Sequence, residues 1–359
     1  MPGLFDPIEV RGTHLRNRIF TAPMCQYSVM RRDGVPTSWH LVHLGSIAAG
    51  GSSLVIAEAT AVTPEGRISD RDTGIWNDEQ ADAWRPIAEF VASQGAVPGI
   101  QLAHAGRKGS TWAPWGEPED RQGSIPTELG GWPTLAPSAV PYEGLAVPHA
   151  LNVGGIDRIV DAFTQAARRA VAAGFGMVEI HAAHGYLLHE FLSPVSNLRT
   201  DAYGGSLENR ARLLLRVVAS VREVIGDLPL FVRFSASDWA PTGWNVDACA
   251  TVARWCAEAG ADLFDISSGG NVPASIPIGP GYQVPFAARI KELTGLPVSA
   301  VGIITEPQQA SDVVASGQAD AVSLARELLR DPHFPLRAAH ELGVDLDYWP
   351  GQYLRARWR

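Results

Sequence analysis

Cysteine is scarce: three residues in 359, at Cys25, Cys249 and Cys256. Three, an odd number, builds no disulfide framework. Cys249 and Cys256 lie about two turns apart in a helical pattern, too far to bridge, and read as core thiols. This usage points to a reducing cytoplasm. Long apolar runs are missing too; none approaches the roughly 18–20 residues of a membrane span. The first residues carry Asp6 and Glu9 and no apolar core segment, so no secretory signal is visible. Positive charge is the minority sign, 29 Lys and Arg against 38 Asp and Glu, for a net charge of −9. That balance gives no electrostatic footprint for nucleic acid or an anionic membrane. No G-x-G-x-x-G opens a helix after a strand, which disfavours a doubly wound dinucleotide fold. What remains is a soluble globular composition, 46% apolar and 19% charged, without repeats, low-complexity tracts or a linker, and one domain over 1–359 is expected.

Strand-length apolar runs alternate with longer helical patterns. The strands are expected at Arg18–Ala22, Leu54–Ala59, Val97–Leu102, Met177–Ile180, Leu230–Phe234, Leu263–Ile266, Val298–Val301 and Ala321–Leu324. The helices are expected at Ser38–Ala49, Asp78–Gln94, Ile156–Ala173, Leu207–Ile225, Val246–Ala259, Pro285–Leu293, Pro307–Ser316, Glu327–Arg330 and Phe334–Leu342. Gly95, Gly174, Gly226, Gly260, Gly295 and Gly317 punctuate six helix ends. Eight strand-then-helix units predict an α/β (β/α)8 TIM barrel. The connection after the third strand, Ala103 to Gly155, is long and holds Trp112, Trp115 and Trp132. Its tryptophans favour a packed cap over a loose linker.

In such a barrel chemistry gathers where strands end. The fourth strand runs into His181–Tyr186 (HAAHGY). Two imidazoles three residues apart can converge on one oxygen, and the Tyr186 phenol can offer a proton nearby; this suits binding a carbonyl and protonating its neighbouring carbon. Imidazoles also suit zinc, with His189 as a third ligand, but without His-Glu-x-x-His or a cysteine cluster His189 reads as a core or capping residue. Other strand ends offer Pro23, Met24, Cys25 and Tyr27, then Ala59, then Gln101. Arg233 lies inside an apolar strand, where it needs an anion or a structural salt bridge. Gly302, Ala325 and Arg326 follow the last two strands, a common phosphate position on barrels. The tail 348–359 is aromatic and basic with no helical stripe, and reads either as a frayed end or as a segment docking on a neighbouring subunit.

These residues resemble the Old Yellow Enzymes, FMN-dependent ene-reductases. The likeness spans nearly the whole chain and is strongest in NRIFTAPMCQYS, IQLAHAGRK, VEIHAAHGYLLHEFLSPVSNLRTDAYGGSLENRARLLLRVV, FVRFSASD, AVGIIT and ARELLRDP. Cys25 resembles the mark of the cysteine-bearing, thermophilic-like or xenobiotic-reductase-like subclass. The resemblance implies FMN, with NADPH or NADH as hydride donor. It implies that His181 and His184 hold a carbonyl or nitro oxygen, Tyr186 delivers the proton, and Tyr27 lines the substrate side. Cys25 would sit beside the flavin and tune it; a nucleophilic role is the competing reading. Gln101 would meet the flavin's pyrimidine edge, Pro23, Met24 and Ala59 its surroundings, Arg233 the N1/O2 region, and Gly302, Ala325 and Arg326 the phosphate. A homodimer or homotetramer is implied, with Arg355 or Trp358 reaching the neighbouring site.

Overall fold

The computed structural model describes residues 2–118 and 121–358. Eight strands close into an all-parallel barrel: β1 (Ile19–Thr21), β2 (Leu54–Ala61), β3 (Val97–Ala103), β4 (Met177–Ala182), β5 (Leu230–Ser235), β6 (Leu263–Ser267), β7 (Val298–Ala300) and β8 (Ala321–Leu324). Each pairs with its neighbours in chain order, and β8 closes on β1. Helices ring the barrel: α1 (Ser38–Ala49), α2 (Asp78–Ser93), α3 (Val153–Ala172), α4 (Leu187–Leu192), α5 (Leu207–Ile225), α6 (Val246–Glu258), α7 (Val284–Thr294), α8 (Pro307–Ala315), α9 (Arg326–Arg330) and α10 (Phe334–Glu341). The expected (β/α)8 TIM barrel is therefore the fold.

Local chemistry explains the helix boundaries. Asn77, Asn152 and Asn245 cap α2, α3 and α6 by accepting a backbone N–H from the first turn, satisfying donors the helix cannot. Along α3 the buried residues Ile156, Ile159, Val160, Phe163, Ala167 and Ala170 recur at helical spacing, so one stripe faces the sheet. The six punctuating glycines all adopt positive φ. Cys249 and Cys256 are fully buried in α6.

Several expectations shift. The fourth strand continues two residues past Ile180, through His181 and Ala182, and the fifth and sixth end on Ser235 and Ser267. Those added residues are mostly polar but fully paired, so an apolar-run criterion stops short. A hairpin, Ile8–Val10 with Thr13–Leu15, was not anticipated; Val10 and Leu15 plug the barrel's N-terminal end beside Phe20, Ile56, Met177, Phe231 and Leu263. The long connection does pack: Trp132 Nε1 donates to the Glu65 carbonyl at 2.9 Å, and the Arg67 guanidinium lies 4.8 Å from its ring. The tail is no frayed coil. Gly351–Ala356 forms a 3-10 turn, and Trp358 stacks on His340 with centroids 5.1 Å apart.

Candidate functional site

Side chains two residues apart on a strand share a face, and the barrel interior changes character in one such step. Ile56, Met177, Phe231, Leu263 and Ala321 form the apolar plug. The next inward residues are Glu58, Glu179, Arg233, Asp265 and Ser323, all buried. One step further stand His181, Ser235 and Ser267. Burying such groups costs several kcal/mol apiece unless they are paired. Gln101 Nε2 donates to Glu179 Oε1 at 2.7 Å, and Ser299 Oγ donates to Asp265 Oδ1 at 2.8 Å. Arg233 Nε lies 3.1 Å from Asp265 Oδ2, so the salt bridge expected as the plainer reading is present. Glu179 Oε2 has no partner among the described residues. Burial and the Asp265 charge push the Glu179 carboxyl up to about 8.

Above this layer the loop after β4 makes a strained turn. His184 has φ of 59°, a conformation uncommon outside glycine. Its backbone is fixed from three sides: its N–H donates to Ser235 Oγ at 2.9 Å, Lys108 Nζ donates to its carbonyl at 2.9 Å, and Gly270 presses against it. Gly185 follows with φ of 71°, and a Cβ there would lie 2.3 Å from the Gly270 carbonyl oxygen, so only glycine fits. Such strain held by its surroundings concentrates at functional sites.

The turn brings the expected trio together. The His181 ring lies 5.2 Å from that of His184 and 5.1 Å from that of Tyr186, edge to face in both cases. His181 Nδ1 accepts the Ala183 N–H at 3.3 Å, and His184 Nε2 lies 2.7 Å from Ser267 Oγ. Burial holds both imidazoles well below the ordinary histidine range, with the Arg233 charge adding to the effect. They are neutral at neutral pH. Burial also pushes the Tyr186 phenol well above its usual value, so it keeps its proton. His189 is a fully buried core residue of α4: Nδ1 accepts the Gly185 N–H at 2.9 Å and Nε2 lies 3.1 Å from Asp238 Oδ1.

Cys25 shares this space. Burial, with the Asp72 and Glu58 charges, pushes its thiol well above its ordinary value. A thiol kept protonated is a poor nucleophile. Pro23, Met24 and Cys25 are each half-buried in succession after β1. The β2–β3 register slips between Ala57 and Ala59, a bulge that re-aims the strand end. Gly302, Ala325 and Arg326 line a separate cavity with Tyr282, Gln283 and Arg330. Gly302 has φ of 121°, and a Cβ there would crowd Gln283 at 3.1 Å.

Arg355 and Trp358 are exposed and do not join this site within the chain. Sequence reasoning missed Glu179, Asp265, Ser267 and Lys108. The signal for the two acids was a lone carboxylate inside an otherwise apolar strand. Lys108 Nζ sits 5.2 Å from the Tyr186 ring and 4.8 Å from the Tyr142 ring, and burial lowers its ammonium to about 8.

Residues 3–345 match the model of the NADH:flavin oxidoreductase / NADH oxidase family, an FMN oxidoreductase family. The chain belongs to this family. NADPH dehydrogenase of Geobacillus thermodenitrificans (strain NG80-2) is 48% identical over 357 residues, covering 99% of this chain and 98% of that protein. Among solved structures, morphinone reductase superposes with a TM-score of 0.79 at 30% identity, over 96% of this chain and 91% of that one. The old yellow enzyme homologue from Zymomonas mobilis gives a TM-score of 0.79 at 29% identity, over 99% and 98%. The flavin oxidoreductase is thus an enzyme whose cofactors are FMN and a nicotinamide, as the Old Yellow Enzyme resemblance implies.

Proposed function

We propose that this flavin oxidoreductase is an NADPH-dependent ene-reductase for activated C=C bonds, those of α,β-unsaturated carbonyl or nitro compounds. The convergence of His181, His184 and Tyr186 on one space carries the reading. FMN, when bound, supplies the hydride that the nicotinamide has donated.

The chain's own residues fit that group. Arg233 Nε lies 3.1 Å from Asp265 Oδ2, and a guanidinium has five N–H donors, more than this one contact uses. It would pair with negative charge at one edge of the cofactor. Gln101 spends its nitrogen on Glu179, so its oxygen would accept from a cofactor N–H. Backbone at Pro23, Met24 and Ala59 would flank it, and the cavity at Gly302, Ala325 and Arg326 would take the phosphate. Cys25, a neutral thiol, would tune the cofactor rather than attack substrate.

His181 accepts a backbone N–H on Nδ1, so its hydrogen sits on Nε2, aimed away from the strand. With His184 it would polarise the acceptor's oxygen as charge develops there. Tyr186 would protonate the α-carbon; a phenol is a weak acid, but an enolate-like carbon is basic enough to take its proton. Tyr27 would line the substrate side, with Trp115 standing edge-on at 5.0 Å. In the cell the enzyme would be a cytoplasmic homo-oligomer, dimer or tetramer, with Arg355 or Trp358 at a neighbour's site.

The test is direct. Purified protein should be yellow, NADPH should bleach it, and cyclohexenone should restore the colour. Colourless protein that fails to take up FMN, or reduced protein indifferent to every activated alkene, overturns the proposal.

A further inference from the structure

We propose that Glu179 is a redox-linked proton site: buried in the barrel beneath the cofactor contacts Gln101 and Arg233, it takes up a proton when the cofactor is reduced. This rests on the placement of FMN against those two residues given above.

Four ionisable side chains share the polar layer: Glu58, Glu179, Asp265 and Arg233, exposed by 3%, 0%, 1% and 6%; Glu58 Oε2 lies 3.6 Å from His40 Nε2. With both acids ionised the Glu179–Asp265–Arg233 cluster carries one net negative charge, because one arginine faces two carboxylates. The arginine is committed to Asp265, at 3.1 Å. Each carboxylate accepts one side-chain hydrogen bond, Asp265 from Ser299 Oγ and Glu179 from the Gln101 amide; among the described residues neither Asp265 Oδ2 nor Glu179 Oε2 accepts another, but Asp265 Oδ2 has the arginine beside it and Glu179 Oε2 does not. A buried carboxylate oxygen without a donor is the natural seat for a proton. The groups that face Glu179 are Asp265 from β6, Arg233 from β5 and Gln101 from β3. His181, next inward on β4, is neutral and adds no charge. Burial and the Asp265 charge therefore hold the Glu179 carboxyl well above the ordinary carboxylate range, at about 8.

Reduction adds two electrons to the bound cofactor and, as in any flavin, at least one proton. Negative charge near Arg233 then weakens that residue's hold on the carboxylates. The Glu179 proton affinity rises, and one additional proton, drawn from solvent, enters with the two electrons. The nicotinamide supplies the electrons, so no further reductant is needed. Gln101 links the carboxyl to the cofactor: its nitrogen is held by Glu179, which fixes the amide with its oxygen outward. Glu179 is thus a positioning residue that also sets the pH dependence of reduction.

The experiment is spectroelectrochemical titration of the FMN-loaded protein from pH 6 to 10, wild type beside Glu179→Gln. Gln keeps the shape and an acceptor for Gln101 but holds no ionisable proton. Below about pH 8 the two potentials should run parallel. Above it, wild type should lose about an additional tenfold in the reduction equilibrium per pH unit, about 30 mV for a two-electron couple. Asp265→Asn, which removes the charge that raises Glu179, should move the bend to lower pH. FMN affinity, followed by fluorescence quenching, should change less in Glu179→Gln than in Glu179→Ala, which also releases Gln101. Parallel potentials across the whole range would overturn the inference while leaving alkene reduction untouched. Wild-type protein that binds no FMN would remove both this inference and the functional proposal.

Discussion

The lower and upper interiors of the barrel are built on the same strands, one side-chain step apart, yet they do opposite work. The lower one, Ile56, Met177, Phe231 and Leu263, is apolar and sealed by the N-terminal hairpin. The upper one, Glu58, Glu179, Arg233 and Asp265, is ionic and incompletely paired. The plug gains from the hydrophobic effect and rewards close packing. The polar layer contributes little to stability; its incomplete pairing is what a bound group can complete. Stability and chemistry are thus segregated along the barrel axis, as the polar strand ends of this fold permit.

That segregation can be broken from either side. Phe231→Ala should give the largest effect on stability, about 3–5 kcal/mol by denaturant unfolding, with the flavin spectrum of the surviving folded protein unchanged. A comparable change in cyclohexenone or FMN affinity would show that the two layers are not separable. His181→Ala should do the reverse: about a tenfold or greater loss of apparent affinity for cyclohexenone in reoxidation of the reduced protein, with little change in unfolding midpoint. Equal affinity would sink the oxygen-anchor role.

Smaller effects sharpen the contrast. The Glu179 carboxyl is raised from 4.5 to about 8 in the folded chain, so the native state binds its proton more tightly than the unfolded state. Its contribution is fully present below pH 4.5 and is lost as pH rises through 8. Melts of Glu179→Gln should show a shallower decline over that window; identical slopes would place the titration elsewhere. Smallest of all, Arg355→Ala should alter acceptor KM by less than about fivefold, as an exposed charge contact does, and only in an oligomer. A change of that size in monomeric protein would count against a tail that serves a neighbour.

The sequence reading did well where periodicity carried the signal and less well where pairing did. All eight strands and the ring of helices were legible because apolar runs and helical stripes follow directly from burial. The trio at 181–186 was legible because three polar groups stand at a strand's end. Glu179 and Asp265 were passed over because a single acid inside VEI or FDI does not disturb the apolar average, and its partners Gln101 and Arg233 lie on other strands. Ser267 stands on the last residue of β6, and Lys108 reaches the site through a loop whose approach depends on the strained His184–Gly185 turn against Gly270. Sequence spacing does not encode that contact. The hairpin at 8–15 was missed because its strands are three residues long.

The central claim is that Tyr186 is the proton donor to the acceptor while leaving the nicotinamide reaction alone. Stopped-flow kinetics on Tyr186→Phe separates the two halves. The reductive half with NADPH should keep its wild-type rate, and reoxidation by cyclohexenone should slow by about a hundredfold or more. Reoxidation at the wild-type rate, or equal slowing of both halves, would contradict it.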